Sequence, residues 1–405
     1  MKINIENIGI ISDANIAING ISLIAGPNDS GKSTVGKILY SLIRGLNPNE
    51  TVFFSEKNDS IRSLYQNVLK IIRDNKDINV AEFQTSKIND EWVESVLEKI
   101  DKFEGTQAKQ LRLYCTILRS QIKIEYDSIS HKNSELYRYF TEEFNDEFIS
   151  VFNDNLIPRI YLEDLEGTAT IDLASYPALN NNINLFYDNV YFIETPSIVD
   201  KTLQESIIFE EPFSRKKNIH LKYALANESS FLFTEKDLQN SNTKVIDIIS
   251  NIINGQFIVD DFKGVIYEKN GKEIDIDNVA QGIKGFGLIQ LLLKNKQLNP
   301  RTLLIIDEPE IHLHPTWQIL YAEILTILSK KLDIPILLTS HSPYFIEALK
   351  AYTEKYNFND KTNFYISKKS KDGLSSSIYD VSNDISPILT LISEAYFKIT
   401  DIENE

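Results

Sequence analysis

The sequence is poor in cysteine and in positive charge, and it contains no long apolar run. Cys115 is the single cysteine of 405 residues, so neither an internal disulfide nor a cysteine metal site can form, as expected in a reducing cytoplasm. The net charge of −16 excludes a surface that binds polyanions over its whole extent, because DNA and anionic membranes would be repelled. Any contact with nucleic acid must therefore be local.

The amino terminus lacks the features of a targeting or membrane segment. Its first residues, MKINIENIGI, alternate polar and apolar types like a β-strand and contain no apolar core of a signal peptide. No apolar run approaches the roughly 18 residues of a membrane-spanning helix. We therefore expect a cytoplasmic protein without membrane contact, long enough for two or three substructures.

A strong motif is present at residues 26–34, GPNDSGKST. It matches the phosphate-binding loop pattern G-x-x-x-x-G-K-[ST], between an apolar strand-like run and a helix-like run. Glycines let successive backbone N–H groups turn inward around an anion, and the dipole of the following helix adds positive charge. The residues predicted to bind nucleotide here are Gly26, Pro27, Asn28, Asp29, Ser30, Gly31, Lys32, Ser33 and Thr34.

Two of these residues have specific predicted roles, and a second motif complements them. Lys32 would reach the β- and γ-phosphates of ATP, and the Ser33 hydroxyl would bind Mg²⁺. Residues 301–315, RTLLIIDEPEIHLHP, form an apolar strand that delivers Asp307 and Glu308 to the sheet edge where α/β folds bind ligands. Asp307 would bind the Mg²⁺, mostly through water, and Glu308 would accept a proton from the attacking water.

A third segment, residues 334–349, ends another buried-looking strand in Thr-Ser-His-Ser-Pro. It follows Glu308 by about one helix and one strand, so His341 is expected at the same sheet edge. There it would donate a hydrogen bond to a γ-phosphate oxygen. The alternative is a structural or solvent-facing histidine.

The chain reads as three parts. Residues 1–55 predict a strand hairpin, the phosphate loop and its helix, and residues 56–155 have the three-and-four spacing of an inserted helical lobe. Residues 156–405 return to strands and then alternate helices and strands. The predicted fold class is α/β, a phosphate-loop nucleotide-triphosphatase head with a mixed, partly parallel sheet, an antiparallel β subdomain and an inserted helical lobe.

These motifs, in this order and with a long insertion, resemble the ATP-binding-cassette ATPases of the chromosome-maintenance and recombination-repair group. The resemblance is greatest to the overcoming-lysogenisation-defect branch and to ATPase subunits of Septu-type and PARIS-type anti-phage systems. It implies a head-to-head homodimer, or a higher homo-oligomer, that sandwiches two ATP molecules. Lys32, Ser33, Asp307, Glu308 and His341 would then form half of each site.

The resemblance also implies a signature loop that completes the partner's site, opening a helix ahead of the Asp-Glu strand. Residues 277–293, DNVAQGIKGFGLIQLLL, hold the candidate, with Gly282 at the expected glycine. Ala280 stands where the family pattern has a serine, so Gln281 or Lys284 would have to replace its hydrogen bond. The alternative is a glycine-rich helix entry without a partner contact.

Two further segments leave alternatives open. Glu194 and Thr195 follow a predicted strand and are either a coupling loop or, more simply, a strand end. His312 and His314 suggest a metal pair only weakly, because no further ligands accompany their spacing, and a contact across the dimer is preferred.

The resulting functional hypothesis is an ATPase that acts as sensor or scaffold of a prokaryotic anti-phage system and controls a separately encoded effector, a nuclease or toxin. The residues after Pro343 are too few for the topoisomerase-primase nuclease domain of full-length relatives, which favours a separate effector. Two alternatives stay open: a DNA-repair ATPase that clamps DNA, and a nucleotide-locked structural protein.

Overall fold

The structure is a computed structural model with two compact units, residues 1–47 together with 129–405, and residues 48–128. Each unit is described by itself. The residues described are 1–74, 79–85, 87–100, 103, 105–145, 156–165, 167–174, 176–200, 216–229, 236–260 and 263–392.

The first unit opens with the predicted hairpin, phosphate loop and helix. Strands β1 (Lys2–Ile8) and β2 (Ile11–Ala17) pair antiparallel, and β3 (Ile21–Ala25) leads into the loop. Every side chain of β3 is buried, as expected for a strand covered on both faces. Helix α1 (Lys32–Leu46) follows at once.

The second unit is helical and has its own apolar core. It contains α2 (Glu50–Asp74), a 3-10 turn (Val80–Phe83), α3 (Asp90–Glu98) and α4 (Gly105–Lys123). Its buried residues include Val68, Trp92, Val93, Val96, Leu111, Cys115 and Leu118. Burial raises the pKa of the Cys115 thiol to about 11, which keeps this thiol protonated at neutral pH.

The first unit resumes with α5 (Ser128–Phe144). Its later strands are β4 (Arg159–Asp164), β5 (Gly167–Asp172), β6 (Ala178–Leu179), β7 (Asn189–Ile193), β8 (Gln256–Asp260), β9 (Gly264–Lys269), β10 (Lys272–Asp275), β11 (Thr302–Asp307), β12 (Ile336–Ser340), β13 (Thr362–Lys369) and β14 (Ser376–Asp380). Its later helices are α6 (Lys217–Ala226), α7 (Lys236–Ile253), α8 (Gln281–Lys294), α9 (Pro315–Leu332) and α10 (Pro343–Lys355).

A large mixed sheet organises this unit. Within the described residues it has eleven strands, in the order β6-β5-β4-β1-β2-β14-β13-β3-β12-β11-β7. The five strands from β13 to β7 are mutually parallel, whereas each strand from β6 to β2 is antiparallel to its neighbours among these five. Strands β8, β9 and β10 form a separate antiparallel sheet. The predicted fold class is confirmed.

Alternate residues of the parallel strands feed two apolar cores, one on each face of the sheet. Leu23, Leu304 and Leu338 pack with helices α7 to α10, whereas Ile24 and Ile305 pack with α1 and α5. Both faces are therefore covered, and the strand ends are left as the accessible part of the sheet. Among the helices of the described residues, none is long and apolar enough to cross a membrane.

The helical unit covers residues 48–128 rather than the predicted 56–155. The difference at its end arises from α5, whose Leu136, Tyr139 and Phe140 are buried in the core of the first unit. A side chain at Gly45 would meet the Leu136 backbone at 2.9 Å, so α1 and α5 pack closely. The three-and-four spacing of the apolar residues in α5 predicts a helix but does not indicate which unit the helix packs in.

Candidate active site

The phosphate loop lies between β3 and α1 with the geometry that an anion site needs. Gly31 and Asp29 have φ of 83° and 54°, in the left-handed region, which turns the backbone sharply. Ser30 Oγ and Lys32 Nζ donate to the carbonyl of Pro27 at 2.8 and 2.9 Å. No side chain caps α1 at Gly31, so its first N–H groups are free of a side-chain acceptor.

The exposure of the loop residues divides it into an open tip and a buried base. Pro27, Asn28 and Asp29 are exposed, whereas Gly26, Ser30, Gly31 and Lys32 are buried and Ser33 and Thr34 are half-buried. The tip therefore meets the surface, and the base contacts the neighbouring strands.

The Asp307 carboxylate meets the loop through a hydroxyl network. Ser33 Oγ donates to Asp307 Oδ1 at 2.9 Å, and Thr339 Oγ1 donates to the same oxygen. The two strands β11 and β12 pair in parallel with Asp307 opposite Thr339, which places both groups at one edge. Hydroxyl and carboxylate oxygens are the ligands that Mg²⁺ prefers, so Ser33 and Asp307 fit a magnesium site.

Glu308 links the loop lysine to the histidine. Its Oε1 lies 3.9 Å from Lys32 Nζ and 3.2 Å from His341 Nδ1. The Glu308 backbone has φ 48°, and its N–H donates to Thr339 Oγ1 at 3.0 Å. The Glu308 side chain is 22% exposed, so it is not sealed from solvent.

The charge of Lys32 is balanced between burial and neighbouring acids. Only 4% of its side chain is exposed, and burial lowers the pKa of Lys32 below its ordinary value of 10.5. The carboxylates of Glu308, Asp307 and Glu310 oppose this lowering. A bound anion would add to their effect.

Glu310 is a site residue that the sequence reasoning missed. It is 5% exposed, and its Oε1 accepts from Ser340 Oγ at 2.7 Å, from His341 N at 2.8 Å and from Ser342 N at 3.1 Å. Its Oε2 is buried and has no hydrogen-bond partner among the described residues. Glu310 therefore fixes the backbone that presents His341. A second acid two residues after an Asp-Glu pair was the available signal.

The predicted signature loop opens α8 but does not present all of its side chains outward. Ala280 is exposed at the start of the helix, which has no side-chain cap. Gly282 permits close packing, because a Cβ there would lie 3.0 Å from Leu313 Cδ2 and 3.1 Å from the His312 carbonyl. Gln281 is half-buried, and its Oε1 lacks a hydrogen-bond partner in the described part of the chain.

Lys284 corrects the prediction for this loop. Its side chain is 2% exposed, and its Nζ donates to Asp200 Oδ1 at 2.6 Å. Lys284 is the first residue of a buried stretch of α8 that ends at Leu293. The ammonium is therefore engaged inside its own chain and does not replace the missing serine hydroxyl.

The contacts of Glu194 and Thr195 favour a structural role, whereas a dimer contact of His312 and His314 stays a prediction. Thr195 Oγ1 accepts from Ser197 N at 3.3 Å and caps a 3-10 turn, and Glu194 pairs with Lys217 at 3.3 Å, which favours a strand end. His314 caps α9 through Nδ1. No group of three or more His, Cys, Asp or Glu that could hold a metal occurs in the described ranges, and His312 gains no such partners.

Comparison with known families identifies the family of the chain. A family model described as AAA ATPase domain matches residues 1–346, which is most of the chain. The chain belongs to the AAA ATPase domain family. It is an ATPase, and ATP is its nucleotide. No curated protein sequence matches it.

Solved structures of low identity resemble this AAA ATPase. The SMC head domain from Thermotoga maritima has 10% identity and a TM-score of 0.41, with 94% of this chain and 98% of that chain covered. An Smc head domain bound to the C-terminal domain of ScpA, from Pyrococcus furiosus, has 10% identity, a TM-score of 0.41 and coverages of 100% and 99%. An ATP-binding cassette of an ABC transporter in its ADP conformation has 11% identity, a TM-score of 0.37 and coverages of 98% and 99%.

Proposed function

We propose that ATP is hydrolysed at the edge where β3, β11 and β12 end. One observation carries the proposal: the loop residues Lys32 and Ser33 meet Glu308 and Asp307 at 3.9 and 2.9 Å, from segments far apart in the chain. Opposite charges and hydroxyls that converge beside an anion-binding loop suit phosphoryl transfer, which depends mainly on positioning and charge neutralisation.

Each residue has a distinct role in this reaction. Lys32 binds the β- and γ-phosphates, Glu308 accepts a proton from the attacking water, and His341 holds a γ-phosphate oxygen. Through Nδ1, His341 also restrains Glu308. Ser33 and Asp307 would hold Mg²⁺, which when bound neutralises charge on the phosphate oxygens.

The test of this site replaces its cation. Lys32→Ala should abolish ATP binding while leaving the fold intact, because the ammonium faces the loop carbonyl and Glu308 rather than the apolar core. Lys37→Ala, in the same helix, is the matched control for loss of one positive charge. Calorimetry with ATP and Mg²⁺ measures both. Unchanged affinity in Lys32→Ala would refute the assignment.

We further propose an ABC-type homodimer in which the Ala280–Gly282 segment of each chain completes the partner's ATP site. The support is an uncapped helix start at Ala280, exposed at its first residue, and the close packing of Gly282 on the segment after β11. Backbone N–H groups and Gln281 would contact the γ-phosphate. Lys284 is left out, since it pairs with Asp200.

The biological role that we propose is regulatory: ATP-dependent closure of the dimer would restrain and release a separately encoded effector of a prokaryotic anti-phage system. The support is the order of the three motifs, which resembles ATPases of such systems. The net charge of −16 makes an extended DNA-binding surface unfavourable, so a partner protein is preferred over a DNA clamp.

A variant that binds ATP without hydrolysing it distinguishes the proposed regulatory role from the DNA-repair alternative. Glu308→Gln protein, co-expressed with the product of the adjacent gene, should co-purify with that product in ATP and Mg²⁺ and release it in ADP. The DNA-repair alternative predicts a different result. Added duplex DNA would raise the ATP turnover of the wild-type protein, high salt would remove this stimulation, and the adjacent gene product would not co-purify.

A further inference from the structure

An acidic side chain, Asp29, lies within the loop that holds the phosphates. Its backbone has φ of 54°, and 82% of its side chain is exposed at the loop tip. A carboxylate in a loop that binds a triphosphate is unfavourable for binding, because like charges repel, and water weakens this repulsion at an exposed position. A positive charge beside Asp29 would offset this repulsion and favour binding of an anion to the loop.

The β13–β14 hairpin is fixed against this loop. Strand β13 runs parallel to β3 with Ile366 opposite Ala25, so the residues after Ile366 pass beside the loop. Ser367 Oγ and Ser376 Oγ, one from each strand, both donate to the Ser30 carbonyl, at 2.6 and 2.8 Å. Two buried hydroxyls thus hold the hairpin and the loop in one register.

The approach is close enough to require a glycine. A side chain at Gly26 would lie 2.9 Å from the Ser367 carbonyl. Two residues further along β13, Lys369 Nζ lies 2.8 Å from Asp29 Oδ2. Burial is the main cause that lowers the pKa of Lys32, and the charge of Lys369 adds a smaller lowering.

We propose that Lys369 is a positioning and charge-compensating residue of the nucleotide site: it neutralises Asp29 and keeps the phosphate loop attractive to ATP. This rests on the proposed ATP site. An exposed ion pair adds little to the folding stability. The effect of the Lys369–Asp29 pair is therefore on ATP binding at the adjacent loop. Lys369 acts through Asp29 and makes no contact of its own with the phosphates.

The experiment is a double-mutant cycle in ATP affinity. Lys369→Met should weaken binding of ATP with Mg²⁺ by about tenfold, because Asp29 is left unpaired. Asp29→Asn combined with Lys369→Met should restore wild-type affinity, and Lys369→Arg should retain it. Lys371→Met, an exposed lysine of the same hairpin, controls for net charge. Thermal melting of each variant confirms that it is folded.

Each outcome decides the proposal. Full recovery in the double variant supports charge compensation. Equal loss in the single and double variants would mean that Lys369 contacts the phosphates itself, and no loss in either would mean that the pair is incidental. Both results overturn the proposal. Lys32→Ala is measured in parallel. If Lys32→Ala still binds ATP, the proposed ATP site is wrong. If Lys32→Ala loses ATP binding while the Lys369→Met variants keep wild-type affinity, only the role of Lys369 is rejected.

Discussion

Lys32 and Lys284 of the first unit are both almost fully buried, and the contrast between their surroundings separates the two halves of the proposed composite site. Lys32 is 4% exposed, donates to a backbone carbonyl and stands 3.9 Å from the nearest acid, Glu308. Lys284 is 2% exposed and pairs with Asp200 at 2.6 Å. A buried ammonium that lacks a close acid can accept a phosphate, whereas a paired one is already satisfied.

The comparison extends to the surrounding groups. Around Lys32, the carboxylates of Asp307, Glu308 and Glu310 come from one segment and converge on the loop, so this half-site is assembled within one chain. Around the start of α8, the accessible groups are the exposed Ala280 and free N–H groups. In the proposed homodimer, that half would complete the ATP site of a second chain.

The largest effect is expected at Glu308. Glu308→Gln should lower turnover by roughly 10²–10⁴-fold, because the general base is lost, while ATP still binds to Lys32. Steady-state phosphate release and calorimetry measure the two properties. Turnover near the wild-type value would show that Glu308 is not the base, and the first half-site would lose its chemical role.

The second prediction tests whether the start of α8 meets a partner's nucleotide. In the Glu308→Gln background, Gly282→Asp should prevent ATP-dependent dimers, since a carboxylate about 4 Å from a phosphate costs about 4 kcal/mol at a dielectric constant near 20. Gly282→Asn is the matched control, because it has the same size without the charge. Light scattering in ATP and Mg²⁺ reports assembly.

Equal assembly by the Asp and Asn variants would show that charge at this position does not matter. If both also assemble like the parent protein, the start of α8 is a helix entry without a partner, and the two-chain site is wrong.

The next largest effect is expected at Glu310, which holds the backbone of His341. Glu310→Ala removes the acceptor of Ser340, His341 and Ser342, and turnover should fall about 10²-fold, because small misplacements of reacting groups are costly. The ATP affinity should hardly change. Glu310→Gln keeps an acceptor oxygen and should retain most of the turnover. A Gln variant as inactive as the Ala variant would indicate a direct role of the Glu310 charge.

A smaller effect, on stability, should distinguish Lys284 from Lys32. Lys284→Met leaves the Asp200 carboxylate without its cation and should lower the free energy of unfolding by about 1–3 kcal/mol, with unchanged ATP affinity of the single chain. Adding Asp200→Asn should recover part of that loss. Urea unfolding and calorimetry measure both, and a weakened ATP affinity would contradict an internal role for Lys284.

The smallest effect concerns pH. Burial lowers the pKa of Lys32, and the charge of ATP raises it again on binding. In the free protein the pKa of Lys32 lies below 10.5, and at a pH below that pKa the ATP affinity should be constant. As the pH rises through that pKa, the affinity should fall, and ATP binding should take up a proton. Calorimetry in two buffers of different ionisation enthalpy detects the proton. Lys32→Arg, which stays charged, should lose this dependence.

The sequence by itself determined the main features of the fold and of the first half-site. A fully apolar strand followed by GPNDSGKST and a helix specifies strand, loop and helix, because the pattern is local. Asp307 and Glu308 could be placed beside the loop, since parallel strands such as β3, β11 and β12 end at one edge.

Tertiary structure alone decided which charged groups are satisfied inside the chain. Lys284 pairs with Asp200, 84 residues away, and Lys369 pairs with Asp29, 340 residues away, and neither partner can be read from a local pattern. Glu310 likewise gains its function only where β12 passes beside it and brings the N–H of His341 to its carboxylate. A motif specifies residue types and spacing, whereas the electrostatic environment of a side chain depends on distant segments that folding brings together.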